Sequence, residues 1–100
     1  MNIINNNIEN IRSLCQKHNV SHLSVFGSIL TEQFNNDSDI DLVVDFNNID
    51  IEDYADNYFD FKYSLENLFK REIDLLEDKA IKNPYLRSSI DSSKKLLYAS

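Results

Sequence analysis

Glycine, proline, cysteine and tryptophan are almost missing from this chain: its 100 residues hold one glycine, one proline, one cysteine and no tryptophan. A lone cysteine, Cys15, excludes an intramolecular disulfide. Long apolar runs are missing too, because Asp, Glu, Lys or Asn interrupts every stretch before the roughly 18 residues that a membrane span requires. Positive charge is scarce, with 10 Lys and Arg against 17 Asp and Glu and a net charge of -7. Nucleic acid and anionic membranes are held chiefly through Lys and Arg, so neither is an expected partner. Any bound nucleotide must draw much of its counter-charge from metal ions. The opening Met-Asn-Ile-Ile-Asn lacks the basic segment and apolar run of a secretory leader, which leads to an expected cytoplasmic location.

What remains is 42% hydrophobic, enough for the core of a single domain over 1-100 but not for a second. Average usage would give about seven glycines. The one retained, Gly27, closes the apolar run Leu23 to Phe26 and precedes Ser28. A single glycine between a strand and a turn marks a place where a Cβ is not tolerated.

Hydrophobic spacing gives the element order. Ile4, Ile8, Ile11, Leu14 and Cys15 predict an amphipathic helix over 5-18, with Cys15 as core filler. His22 to Phe26 reads as a strand, 29-34 as one helical turn, and 35-38 as a polar loop. Ile40 to Phe46 reads as a central strand buried on both faces, in which Asp41 and Asp45 need partners. Tyr54, Tyr58, Phe61, Leu65, Leu68 and Phe69 predict a long helix over 52-70. A short strand over 72-77 follows, and Asn83-Pro84 opens a last helix that Ile90, Lys94 and Leu97 carry to near the C-terminus. The expected fold class is α/β (α+β), a three- to four-stranded mixed sheet covered by helices.

Asp39, Asp41 and Asp74 then fall on two strands. Three converging carboxylates repel one another unless protons or divalent cations neutralise them. Their hard oxygens suit Mg²⁺ or Mn²⁺, and Asp-x-Asp on an extended segment points both side chains to one face. A Gly-Ser turn opening a helix offers amides and a hydroxyl to phosphate oxygens. These parts suit in-line nucleotidyl transfer with two metals. A calcium loop begun by Asp37, Asp39 and Asp41 fails, because its glycine position is Leu42 and its bidentate glutamate position is Asn48. His18 and His22, four apart, have no further ligand nearby and read as capping or surface residues. Tyr54, Tyr58 and Tyr63 read as core packing or a partner interface.

Phe26-Gly27-Ser28, then Asp39-Ile40-Asp41-Leu42, then Ile73-Asp74-Leu75 resemble the minimal nucleotidyltransferase (MNT) family of the DNA polymerase β-like superfamily. The resemblance spans nearly the whole chain. It implies that Gly27 and Ser28 hold the triphosphate of ATP and that Asp39 and Asp41 bind two Mg²⁺ ions. It also implies that Asp74 ligates the catalytic metal and helps deprotonate the acceptor hydroxyl. MNT proteins are paired with helical HEPN toxins, so the resemblance implies an antitoxin that transfers AMP to a tyrosine of such a partner. The family's Gly-Ser-Arg-x-Arg-Gly pattern is replaced by Gly27-Ser28-Ile29-Leu30-Thr31-Glu32. That departure motivates an alternative, an antitoxin that acts by occluding its partner with catalysis weakened. With one domain, acceptor choice is expected to rest on a partner surface or a homodimer.

Overall fold

In the computed structural model, which describes residues 2-100, the order is α1 (Asn2–Asn5), α2 (Ile8–Lys17), β1 (Val20–Phe26), a 3₁₀ turn (Gly27–Leu30), β2 (Ile40–Phe46), α3 (Ile51–Phe69), β3 (Ile73–Glu77), a second 3₁₀ turn (Asp78–Ala80), α4 (Pro84–Ser93) and β4 (Lys95–Ala99). The four strands form one mixed sheet in the order β3-β2-β1-β4. β1 is antiparallel to both β2 and β4, and β2 is parallel to β3. Crossing from β2 to the parallel β3 requires a long connection, which α3 supplies.

Strand period divides the sheet into two unlike faces. Leu23, Val25, Ile40, Leu42, Val44, Phe46, Ile73 and Leu75 point to one side and pack with Ile11, Cys15, Phe61, Leu65 and Phe69 from the helices. This is the main core. Burial lifts the Cys15 thiol to about 12, so the thiolate that would react or bind metal is suppressed. Asp41, Val43 and Asp45 alternate with the core residues of β2 and therefore face the other side. β2 is central as expected, and Asp45 finds Lys79 Nζ at 3.4 Å.

Two helical expectations are corrected. The predicted helix over 5-18 is split, because residues 6 and 7 form a turn between α1 and α2. Asn7 Nδ2 donates to the Ile3 carbonyl at 2.8 Å, offering the backbone an alternative to helix continuation. The final helix ends at Ser93, and Lys95–Ala99 is an edge strand paired with β1. Ser92 and Ser93 both donate their hydroxyls to the Ser89 carbonyl, a competition that loosens the last helical turn. The start of α4 is as expected: Asn83 caps it by accepting from the amides of Tyr85 and Leu86, with Pro84 in the first turn.

His18 is a buried strut and not a surface residue. Its Nδ1 lies 2.7 Å from the Leu14 carbonyl and its Nε2 2.7 Å from Asp60 Oδ2, both within hydrogen-bond distance, while its ring packs on Phe61. It thereby ties the C-terminus of α2 to α3, and the bond from the imidazole holds the Asp60 carboxyl below the usual range. The aromatic stripe of α3 splits in the same way. Tyr54 donates to Glu77 at 2.8 Å and Tyr58 to the Leu75 carbonyl at 2.6 Å, whereas Phe59 and Tyr63 stack on each other in the open.

Lys70 ends α3 in the left-handed conformation, φ 58°, a place that favours glycine. Lys70→Gly is expected to stabilise the fold by about 0.5–1 kcal/mol. Thermal unfolding should then show a midpoint raised by a few degrees.

Candidate functional site

The site is built at the end of the sheet where β1 stops and β2 and β3 begin. Phe26, the last residue of β1, pairs with Asp41, and Asp41 pairs in parallel with Asp74. Cα partners in neighbouring strands share a face, so the carboxylates of Asp41 and Asp74 stand side by side on the side of the sheet away from the main core. Asp39 lies just before the strand and is exposed, as is Asp74, while Asp41 is half-buried.

Gly27 makes this packing feasible. Its φ is +80°, and a Cβ built on it would collide with Asp41 Oδ2 and lie 3.1 Å from Asp41 Cγ. The chain turns over the carboxylate with nothing between. That turn brings the Ser28 amide to Asp41, and the resulting hydrogen bond favours the ionised form. Three stronger influences oppose it: desolvation, then the charge of Asp74, then the charge of Asp39. Their sum raises the Asp41 carboxyl above its ordinary value. Both neighbours that crowd Asp41 are the other two predicted site residues, so Asp41 is the carboxylate on which the other two act, and Gly27 packs against it.

The crowding is the feature that a cation would relieve, and the donors are hard carboxylate oxygens of the kind Mg²⁺ and Mn²⁺ prefer. As they stand, the described His, Cys, Asp and Glu side chains include no group of three gathered tightly enough to enclose a metal. Backbone amides and a hydroxyl at Gly27 and Ser28 form a turn suited to phosphate oxygens. Of the residues that replace the family's two arginines, Ile29 is buried in the core and Thr31 is exposed, as is Glu32 at the second glycine position.

Arg71 was absent from the sequence-based set. It leaves the α3–β3 turn and reaches the loop that precedes Asp39, with Nη1 donating to the Ser38 carbonyl at 2.8 Å and to the Asn35 carbonyl at 3.0 Å. Its guanidinium lies 4.7 Å from the centroid of the Phe34 ring. The sequence signal was only an arginine three residues before Asp74. Its contacts, more than 30 residues back in the chain, carry no local pattern.

Comparison with known proteins gives the family and the fold. The family model for the polymerase beta nucleotidyltransferase domain matches residues 9–100. A protein of Methanocaldococcus jannaschii named as a putative protein adenylyltransferase is 35% identical over 78 residues, which span 78% of this chain and 76% of the relative. A second protein of that name from the same organism is 31% identical over 78 residues, covering 78% and 77%. Among solved structures, one described as a putative minimal nucleotidyltransferase superposes with TM-score 0.76 at 26% identity, covering 92% of this chain and 90% of that one. The MNT antitoxin complex with tri-AMPylated HEPN toxin of Shewanella oneidensis gives TM-score 0.66 at 17% identity, covering 96% and 72%, a likeness of fold.

Proposed function

The chain belongs to the polymerase beta nucleotidyltransferase family, and we propose that it is a Mg²⁺-dependent enzyme that transfers AMP from ATP to a tyrosine hydroxyl of a HEPN-type protein partner, acting as an antitoxin. The observation that carries this reading is the register that sets Asp74 beside Asp41 beneath the Gly27 turn. Further support comes from the names of the adenylyltransferase relatives and from the AMPylated toxin in the complex of like fold.

In this reading the turn at Gly27 and Ser28 holds the triphosphate, with the serine hydroxyl as a donor to a phosphate oxygen. Asp39, Asp41 and Asp74 hold the two Mg²⁺ ions, which, when bound, supply Lewis acidity at the α-phosphate and counter-charge for the leaving pyrophosphate. Asp41, with both neighbours close to it, bridges the two halves of the donor set. Asp74 stands on the outer strand and orients the acceptor hydroxyl for in-line attack, helping to remove its proton. The hydroxyl oxygen forms the new bond to the α-phosphorus as the bond to pyrophosphate breaks. Chemistry at an open sheet face leaves acceptor selection to the docked partner.

Incubation of the full chain with α-labelled ATP, Mg²⁺ and the product of the neighbouring gene tests the proposal. Label is expected on a partner tyrosine and is expected to vanish with the Asp39→Asn, Asp41→Asn variant. Equal labelling by that variant overturns the reading.

A second reading, occlusion of the partner without catalysis, is favoured by one observation. The 3₁₀ turn packs Ile29 into the core and presents no basic side chain to a triphosphate. Suppression of toxicity that survives intact in the double variant selects this reading over the first.

A further inference from the structure

The proposed metal site draws on one ligand that no strand holds. Asp41 and Asp74 lie within ladder-paired strands, but Asp39 precedes β2 as the last residue of an irregular stretch over 31-39. A ligand at the end of such a segment needs something to fix its peptide, since ordering a free backbone costs about 1–2 kcal/mol per residue.

The loop closes on itself first. The Ser38 amide donates to the Asn35 carbonyl at 3.1 Å, and the Asn35 amide donates to Ser38 Oγ at 3.1 Å. The Asp37 amide donates to Asn35 Oδ1 at 2.8 Å. This makes a compact turn, but every one of these bonds is internal to it, so none of them ties the turn to the strands; Phe34, packed against the core, anchors its near end. Arg71 ties the far end to the α3–β3 turn. A single guanidinium nitrogen bridges the carbonyls at both ends of the turn, Asn35 and Ser38, and the guanidinium rests on the Phe34 ring one residue before the turn begins. The Ser38 carbonyl belongs to the peptide that joins Ser38 to Asp39, so the bond fixes the plane from which Asp39 departs. Two residues later the Ile40 amide donates to the Glu72 carbonyl at 3.2 Å, adjacent to Arg71 in sequence. Asp39 is thus held between two attachments to the same α3–β3 turn, which also delivers Asp74.

We infer that Arg71 is a positioning residue that places Asp39 against Asp41 and Asp74, so that the metal affinity of the site depends on a side chain that touches neither metal nor nucleotide. The inference rests on the reading of Asp39 as a metal ligand. Both carbonyl bonds come from Nη1 alone, so what arginine adds over lysine at this position is the planar face that rests on the Phe34 ring.

Mn²⁺ titrated calorimetrically into the full chain, together with amide hydrogen exchange at Ser38 and Asp39, tests it. Arg71→Ala is expected to lower Mn²⁺ affinity about 10-fold or more, the scale found for partners that orient ligands, and to speed exchange at the Ser38 amide. Arg71→Lys is expected to recover only part of the affinity. Phe34→Leu, which leaves the donor in place and removes its platform, should give a smaller loss in the same direction. The Arg71→Ala, Asp39→Asn double variant should bind no more weakly than Asp39→Asn alone, because both act on one ligand. Unchanged Mn²⁺ affinity in Arg71→Ala, whatever its melting temperature, overturns the inference, as does additivity in the double variant. If the wild-type chain binds no Mn²⁺, or Asp39→Asn leaves binding unaltered, the metal-site reading itself fails, and the inference fails with its premise.

Discussion

Gly27→Ala is expected to lower the melting temperature by roughly 5–15 °C and to reduce nucleotidyl transfer by about 100-fold or more. Two independent terms add. The backbone at φ +80° is in a region where a Cβ costs about 1–2 kcal/mol, and each kcal/mol moves the midpoint of a domain of this size by about 4–8 °C. The new methyl group would also stand where Asp41 Oδ2 now is, within tight contact of Asp41 Cγ as well. The carboxylate is the softer partner, so it rotates away before the strand moves. That rotation carries Asp41 off Asp74 and off the Ser28 amide, and a displacement of about 1 Å at a reacting centre is enough for a loss of this order. Scanning calorimetry and the labelling assay check the two parts separately. A variant with wild-type stability and transfer would show that the turn and Asp41 are not in the contact described here.

How far the sequence discloses this arrangement depends on whether the signal is local. The Gly-Ser turn, the central β2 and the long α3 are all written in short-range patterns, and the structure places them where those patterns predict. The β4 strand is not so written. No glycine or proline separates Lys95–Ala99 from α4, whose apolar spacing it continues, yet it forms a strand because β1 offers an unpaired edge. Ser92 and Ser93, whose hydroxyls bond back to the Ser89 carbonyl in the last turn, look like ordinary helix-surface serines from sequence alone. His18 shows the same limit. Its capping of α2 follows from its position, but burial against Phe61 and the bond to Asp60, 42 residues on, arise only when α2 and α3 pack. Within the site, the carboxylates were legible because their chemistry recurs at fixed spacing. Arg71 was not, because its partners are backbone carbonyls, which every residue possesses.

Asp41→Asn is expected to lower transfer by about 10³-fold or more while raising the melting temperature of the chain measured in EDTA. The two effects have one cause. Burial and the charges of Asp74 and Asp39 all disfavour an ionised Asp41, and only the Ser28 amide favours it. An asparagine keeps an oxygen for that amide and abolishes the repulsion, so the metal-free fold gains a little; the site is open enough to water that the gain is small. The cost falls on function, because a neutral amide neither holds a divalent cation as a carboxylate does nor offsets its charge, and several kcal/mol of transition-state stabilisation are lost. Adding Mg²⁺ with a non-hydrolysable ATP analogue should reverse the order of stabilities. Wild type gains RT ln(1 + [L]/Kd), about 2.7 kcal/mol at a hundredfold excess over Kd, whereas the variant gains little. A crossing of the two melting temperatures between EDTA and Mg²⁺-nucleotide is the expected result. A variant less stable than wild type in EDTA would mean that the Ser28 bond outweighs the crowding, and that Asp41 is held ionised by its surroundings without help from a metal.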